Sequence, residues 1–255
     1  MEVRHSPDEH ANAELKQLPA RRDEGNVAWL RRTGIREGLL LVGGSSVIEF
    51  RIRVAQSRFR QDLLPSFWSM AGLLVRSRVY TVADLRRLDR VPEDNGVQRI
   101  PLRELDDPRV YPNLAILQFT RQNRLVRDKI EHIAQQRGIV DIPALIVPWL
   151  GFLWGVPGYD NPLAQGKGLP SAILIETAFG MAGIDLTPGL ASLATCPEAI
   201  WQAAKWWTSY YATSTQDTAK GAATSLRPVG AFVCRQPAAF AVEHPAPRGA
   251  RPRAS

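Results

Sequence analysis

A chain of 255 residues with 45% hydrophobic and 22% charged residues has an ordinary globular composition, long enough for one large domain or two small ones. Its two cysteines, Cys196 and Cys234, form no metal-ligand spacing, redox motif or disulfide framework, so no metal or other cofactor is implied and a reducing cytosol (a cytoplasmic location) is the expected compartment. The net charge of +7 is spread through the centre and a basic tail over 235–255, without an arginine- and aromatic-rich binding motif, which speaks against nucleic acid as the main partner.

Residues 1–35 carry balanced charge and few apolar anchors, and read as a flexible arm with a short helix near Asn26–Arg32. The start, Met1-Glu2-Val3-Arg4-His5, has no apolar core and does not read as a secretory signal. Gly38-Leu39-Leu40-Leu41-Val42 predicts a strand and Gly43-Gly44-Ser45-Ser46 a turn. Lacking a Lys-Ser/Thr ending, that turn is weak evidence for a phosphate loop. From Val47 to Val54, the apolar Ile48, Phe50, Ile52 and Val54 alternate with Glu49, Arg51 and Arg53, which predicts a half-buried strand with a charged outer face. Ser66–Val75 reads as a strand buried on both sides and Val79–Val82 as the next one. Pro92–Gly96 reads as a loop, Val97–Leu102 as extended chain and Asn113–Phe119 as a further buried strand.

Asn123–Arg137 sets Val126, Ile130, Ile133 and Ala134 on one helical stripe, with His132 off it and facing solvent. Ile142–Val156 is strongly apolar, but Pro143 and Pro148 interrupt it. It also falls short of the roughly 20 apolar residues that a membrane span needs. It reads as a buried segment, the alternative being a lid or a peripheral membrane contact. Next comes Gly168-Leu169-Pro170-Ser171, which delivers a hydroxyl to the start of an apolar helix through Phe179, stopped by Gly183. Ser171 reads as a helix N-cap; the alternative is a nucleophile aided by free N–H groups. Thr195-Cys196-Pro197-Glu198 reads as a capped helix start leading into Ile200, Trp201, Ala204, Trp207 and Tyr211. These aromatics are expected to complete the core and its rim.

Several short matches recur in one order: Ser69-Met70-Ala71-Gly72-Leu73, Gly96-Val97 with Pro101-Leu102, Ser171-Ala172-Ile173-Leu174-Ile175, Gly183-Ile184-Asp185-Leu186-Thr187-Pro188 and Thr195-Cys196-Pro197-Glu198. In this order they resemble the circularly permuted papain-like fold of the NlpC-like superfamily, over about residues 38–205. The resemblance implies an α+β, papain-like domain over 36–234, with a mainly antiparallel sheet packed against helices. The charged arm 1–35 and a disordered Pro/Ala/Arg tail over 235–255 would flank it, and both ends would be dispensable. It also implies a catalytic histidine at position 70 and a cysteine at position 171, where this chain has Met70 and Ser171.

A thioether accepts no proton near neutral pH, so the thiolate–imidazole chemistry of the family is lost. Two readings follow. One is an active amide or ester hydrolase or acyltransferase using Ser171 with an unrecognised base, and Gln56 as an oxyanion donor. The other is a catalytically impaired binding or interaction module for an acyl, peptide or lipid ligand, and the missing base favours it. A basic nucleic-acid-binding protein is the third reading.

Overall fold

The computed structural model describes residues 15–82, 85, 95–119, 123–136, 141–213 and 228–237. Seven strands form one open sheet in the order β1-β7-β6-β2-β3-β4-β5. They are β1 (Leu15–Gln17), β2 (Glu37–Gly43), β3 (Met70–Val75), β4 (Arg78–Val82), β5 (Val97–Pro101), β6 (Asn113–Phe119) and β7 (Pro228–Cys234). Every pairing is antiparallel except that of β1 with β7, which is parallel. With six α-helices among the described residues the fold is α+β, as expected.

The central strand β2 shows why its apolar run does not alternate. Leu39 and Leu41 point into one core, with Ala71, Leu73, Ala115, Leu117 and Phe232. Leu40 and Val42 point into a second core on the other face, with Leu74, Leu114 and Ile116. A strand covered on both faces needs no polar side. The first core is roofed by α2 (Val47–Ala55), α3 (Asn123–Gln135), α4 (Ile142–Trp154), α5 (Pro170–Gly180) and α6 (Pro197–Thr213). The second is covered by α1 (Asn26–Arg32) and a 3-10 turn at Leu102–Leu105.

Residues 47–54 are a helix and not the strand that their alternation predicts. Ser46 and Glu49 form a reciprocal capping box, the strongest local helix signal in this stretch. The face turned inward carries Glu49, Ile52, Arg53 and Gln56, spaced three and four apart, and three of these are polar. Hydrophobicity therefore marks the wrong face, and Val47 and Val54 lie exposed. The strand expected over Ser66–Val75 is confined to Met70–Val75, preceded by the buried but irregular Phe67 and Trp68.

The flexible arm expected over 1–35 is not found in its described part. Leu15 is buried in the first core, and Trp29 and Leu30 in the second. Asn26 is fully buried, donating to the carbonyls of Leu105 at 2.7 Å and Tyr111 at 2.9 Å. Arg32 grips Glu24 through two bonds, and the Arg235 guanidinium donates to Asn26 Oδ1 at 2.7 Å. Scattered anchors with distant partners give no periodic signal, which is why composition alone suggests an arm. Residues 1–14 and 238–255, and most of the loop expected at Pro92–Gly96, lie outside the described residues.

Within Ile142–Val156, residues Ile142–Trp154 form α4, with Asp141 capping its start and Gly155 in the left-handed region closing it. Pro143 sits in the first turn, where its missing N–H costs nothing, whereas Pro148 lies inside the helix. Ile142, Ile146, Trp149 and Leu153 face the core, while Val147 and Trp154 are exposed. Among the described residues no helix is long and apolar enough to cross a membrane. Expected strands at 79–82, 97–102 and 113–119, and the helix at 123–137, stand within a few residues of their predicted places.

Candidate functional site

Helix α5 is buried on nearly every side, with Ile173, Leu174, Ile175, Ala178 and Phe179 in the first core. Its entry is clamped by backbone. The Gly168 N–H donates to the Leu193 carbonyl at 2.6 Å, and the Leu169 N–H to the Thr195 carbonyl at 2.9 Å. Trp149 Nε1 donates to the Gly168 carbonyl at 2.7 Å. A Cβ on Gly168 would come within 2.3 Å of the Thr195 carbonyl oxygen, so only glycine fits there. At the other end Gly183 adopts φ +78. The Gly183 N–H returns to the Gly180 carbonyl and the Ile184 N–H to that of Phe179, closing the helix where Gly183 predicts.

Ser171 is not the N-cap of this helix. Leu169 takes that position without a side-chain bond, Pro170 opens the first turn, and Ser171 follows it. Its hydroxyl is buried and accepts the N–H of Ala71 on β3 at 3.2 Å. The β3–β4 register runs from Leu73 to Val75, so Ala71 lies beyond it. Two hydroxyls complete Ala71 instead: Ser171 accepts from its N–H, and Thr81 Oγ1 donates to its carbonyl at 2.8 Å.

Met70 precedes Ala71 and therefore points the opposite way. It is paired with Val42 and packs in the second core, on the face of the sheet away from α5. The two residues expected to meet as nucleophile and base are thus not brought together across a pocket. Among the described residues the single histidine is His132, exposed on α3 as its position off the stripe predicts.

Gln56 is fully buried and its amide is spent on structure. Its Nε2 donates to the carbonyls of Ile52 at 3.1 Å and Trp68 at 2.8 Å, and its Oε1 accepts the Glu198 N–H at 2.9 Å. It therefore caps the first turn of α6 and has no N–H left for an oxyanion. Thr195, expected to cap that helix, has a buried hydroxyl without a hydrogen-bond partner.

Sequence reasoning missed the buried polar network between α2, the approach to β3 and α6. Glu49 bonds to Ser46 Oγ at 2.9 Å and lies against Gly44, where any Cβ would collide with its carboxylate. The Gly-Gly-Ser-Ser turn thus packs around the Glu49 carboxyl. Arg53 donates to the carbonyl of Ser66 at 2.6 Å and to that of Gly44 at 3.3 Å. Burial lowers its pKa to about 10, partly opposed by the Glu49 charge. Ser66 Oγ in turn donates to Glu198 Oε2 at 2.6 Å. The Ser46-x-x-Glu49 spacing was the available signal for this network. Burial raises the pKa of the Cys196 thiol far above its ordinary value, so a reactive thiolate at this helix start is not formed. Among the described residues no group of three or more His, Cys, Asp or Glu side chains is arranged to hold a metal.

No protein-family model, curated protein or solved structure matches this chain.

Proposed function

We propose that this chain is a papain-like domain that has lost hydrolysis and serves as a binding or interaction module. What supports the papain-like reading is the order of its motifs, with a buried helix carrying Ser171 packed by its first turn on β3. The observation that carries the loss of catalysis is the Ser171 hydroxyl itself. It is engaged with the Ala71 N–H, buried, and separated by the sheet from the Met70 side chain. A serine nucleophile needs a base that takes its proton and a path for substrate to its oxygen. Here the hydroxyl links helix to strand. Gln56, the expected oxyanion donor, is committed to α2, the segment before β3 and α6.

The test is labelling of the purified full chain with a fluorophosphonate probe, followed by mass spectrometry of residues around 171. No adduct at Ser171 is expected. Replacing Ser171→Cys together with Met70→His is expected to yield no thiol-probe turnover, since the new imidazole would lie on the far face. Stoichiometric fluorophosphonate labelling of Ser171 in the native chain would overturn the reading.

A further inference from the structure

On the sheet face that carries Met70, no described helix covers one end. Between α1, the segment entering β2, the β3–β4 hairpin and the 3-10 turn lies an open cleft of about 1200 Å³. Its floor is apolar, with Leu30, Leu74, Leu102 and Ile35. Among the described residues its walls carry five exposed arginines, namely Arg31, Arg36, Arg76, Arg78 and Arg103, against one carboxylate, Glu37. None of the five takes part in an ion pair among the described residues.

They converge from separate segments: the last turn of α1, the linker before β2, the hairpin tip, the start of β4 and the 3-10 turn. Like charges gathered on one small concave surface repel each other, and a bound anion relieves that repulsion. The two-residue link of the hairpin is Arg76-Ser77, and Arg76 adopts φ +58. Glycine or asparagine takes that conformation readily, whereas an arginine there is strained. A two-residue hairpin link itself calls for positive φ, and here it sets Arg76 at the lip of the cleft with its side chain among the lining.

We propose that this cleft binds a phosphate-bearing amphiphile. The guanidinium forks take the phosphate and the leucine floor takes an apolar body. Arginine matches phosphate oxygens through paired N–H donors, and a dianionic phosphate uses more of the converging forks than a carboxylate does. The apolar floor distinguishes the ligand from inorganic phosphate. Among the described residues no aromatic side chain lines the cleft, and so none there offers the stacking surface that single-stranded nucleic acid would use. The site lies on the opposite face from Ser171 and does not depend on whether that residue reacts.

The test uses isothermal titration of the full chain with octyl phosphate below its micelle concentration, beside octyl glucoside, inorganic phosphate and a single-stranded DNA oligonucleotide. Octyl phosphate is expected to bind saturably, about tenfold or more tighter than the other three. Arg103→Gln should weaken it. Arg76→Gly should weaken it as well, while leaving the melting temperature the same or higher because the strain is released. A purely structural arginine would lose stability and binding together. Vesicles with and without phosphatidic acid separate the sources of the ligand. Cosedimentation that octyl phosphate competes away identifies a membrane headgroup, and retained octyl phosphate binding without cosedimentation identifies a free ligand. Saturable binding unchanged by both substitutions, equal binding of octyl glucoside, preference for the oligonucleotide, or no binding at all would each overturn the assignment.

Discussion

Glu176 holds the turn after α5 in place, accepting the Leu186 N–H at 3.2 Å and the Thr187 hydroxyl at 3.1 Å from within the core. Burial raises its pKa from 4.5 to about 7, only partly offset by those two bonds, and the nearby Asp185 charge pushes the same way. Folding therefore favours the protonated acid. The stability this confers is complete below about pH 4.5 and fades as the pH rises through about 7. Glu176→Gln should flatten that slope, removing a difference on the order of 3 kcal/mol between acidic and mildly alkaline solution. Urea unfolding at several pH values measures it, and an unchanged slope would show that Glu176 is not the titrating group. Sequence reading gave the helix around Glu176 and the glycine that ends it, because both are local. It was silent on the carboxylate, because the partners that bury it come from a turn ten residues on. The type and position of Ser171 suggest a cap or a nucleophile, yet the role of its hydroxyl is decided by a strand one hundred positions earlier.

Helix α1 shows how far a short element can depend on what it reaches. It has seven residues, too few to persist alone, and its N-cap Gly25 offers no side chain. Trp29 and Asn26 anchor it instead, the ring in the second core and the amide on the carbonyls of Leu105 and Tyr111. Asn26→Ala would take a donor from the Leu105 and Tyr111 carbonyls and an acceptor from the Arg235 guanidinium, which keeps its bonds to the carbonyls of Pro112 and Glu24. Its expected cost is about 2–3 kcal/mol in denaturant unfolding, against about 3–5 for Trp29→Ala. Losses below about 0.5 kcal/mol, within the range of an ordinary surface substitution, would make α1 a loosely docked appendage. Central strands and the α3 stripe were legible because two-sided burial and helical spacing are written in consecutive residues. Helix α2 was not, because Glu49, Arg53 and Gln56 face inward and carry the polarity that marks a solvated face. Burying them is tolerated only because each meets a backbone or side-chain partner.

Across the whole molecule, the two faces of the sheet are covered unequally. Among the described residues five helices roof the first core, whereas α1 and a 3-10 turn cover the second and leave the arginine cleft open. Sequence reading captured the α+β class and missed this asymmetry, since the arginines are scattered over more than seventy positions and meet only through the sheet register. The parallel pair at the edge joins Leu15 to Gly230, more than two hundred positions apart, while β7 also completes β6. Translated into the order in which a ribosome delivers the chain, this sets a waiting time. At roughly 5–20 residues per second, β1 spends about ten seconds or more without its partner, and β6 stands as an unpaired edge. A truncation ending at residue 227 should remain sensitive to brief proteolysis and prone to aggregate, whereas the full chain resists. Equal resistance of the two would show that the sheet closes without β7. Growth from the ribosome is thus coupled to closure of the sheet, and a nascent-chain chaperone that shields the β6 edge has roughly 5–20 seconds in which to act.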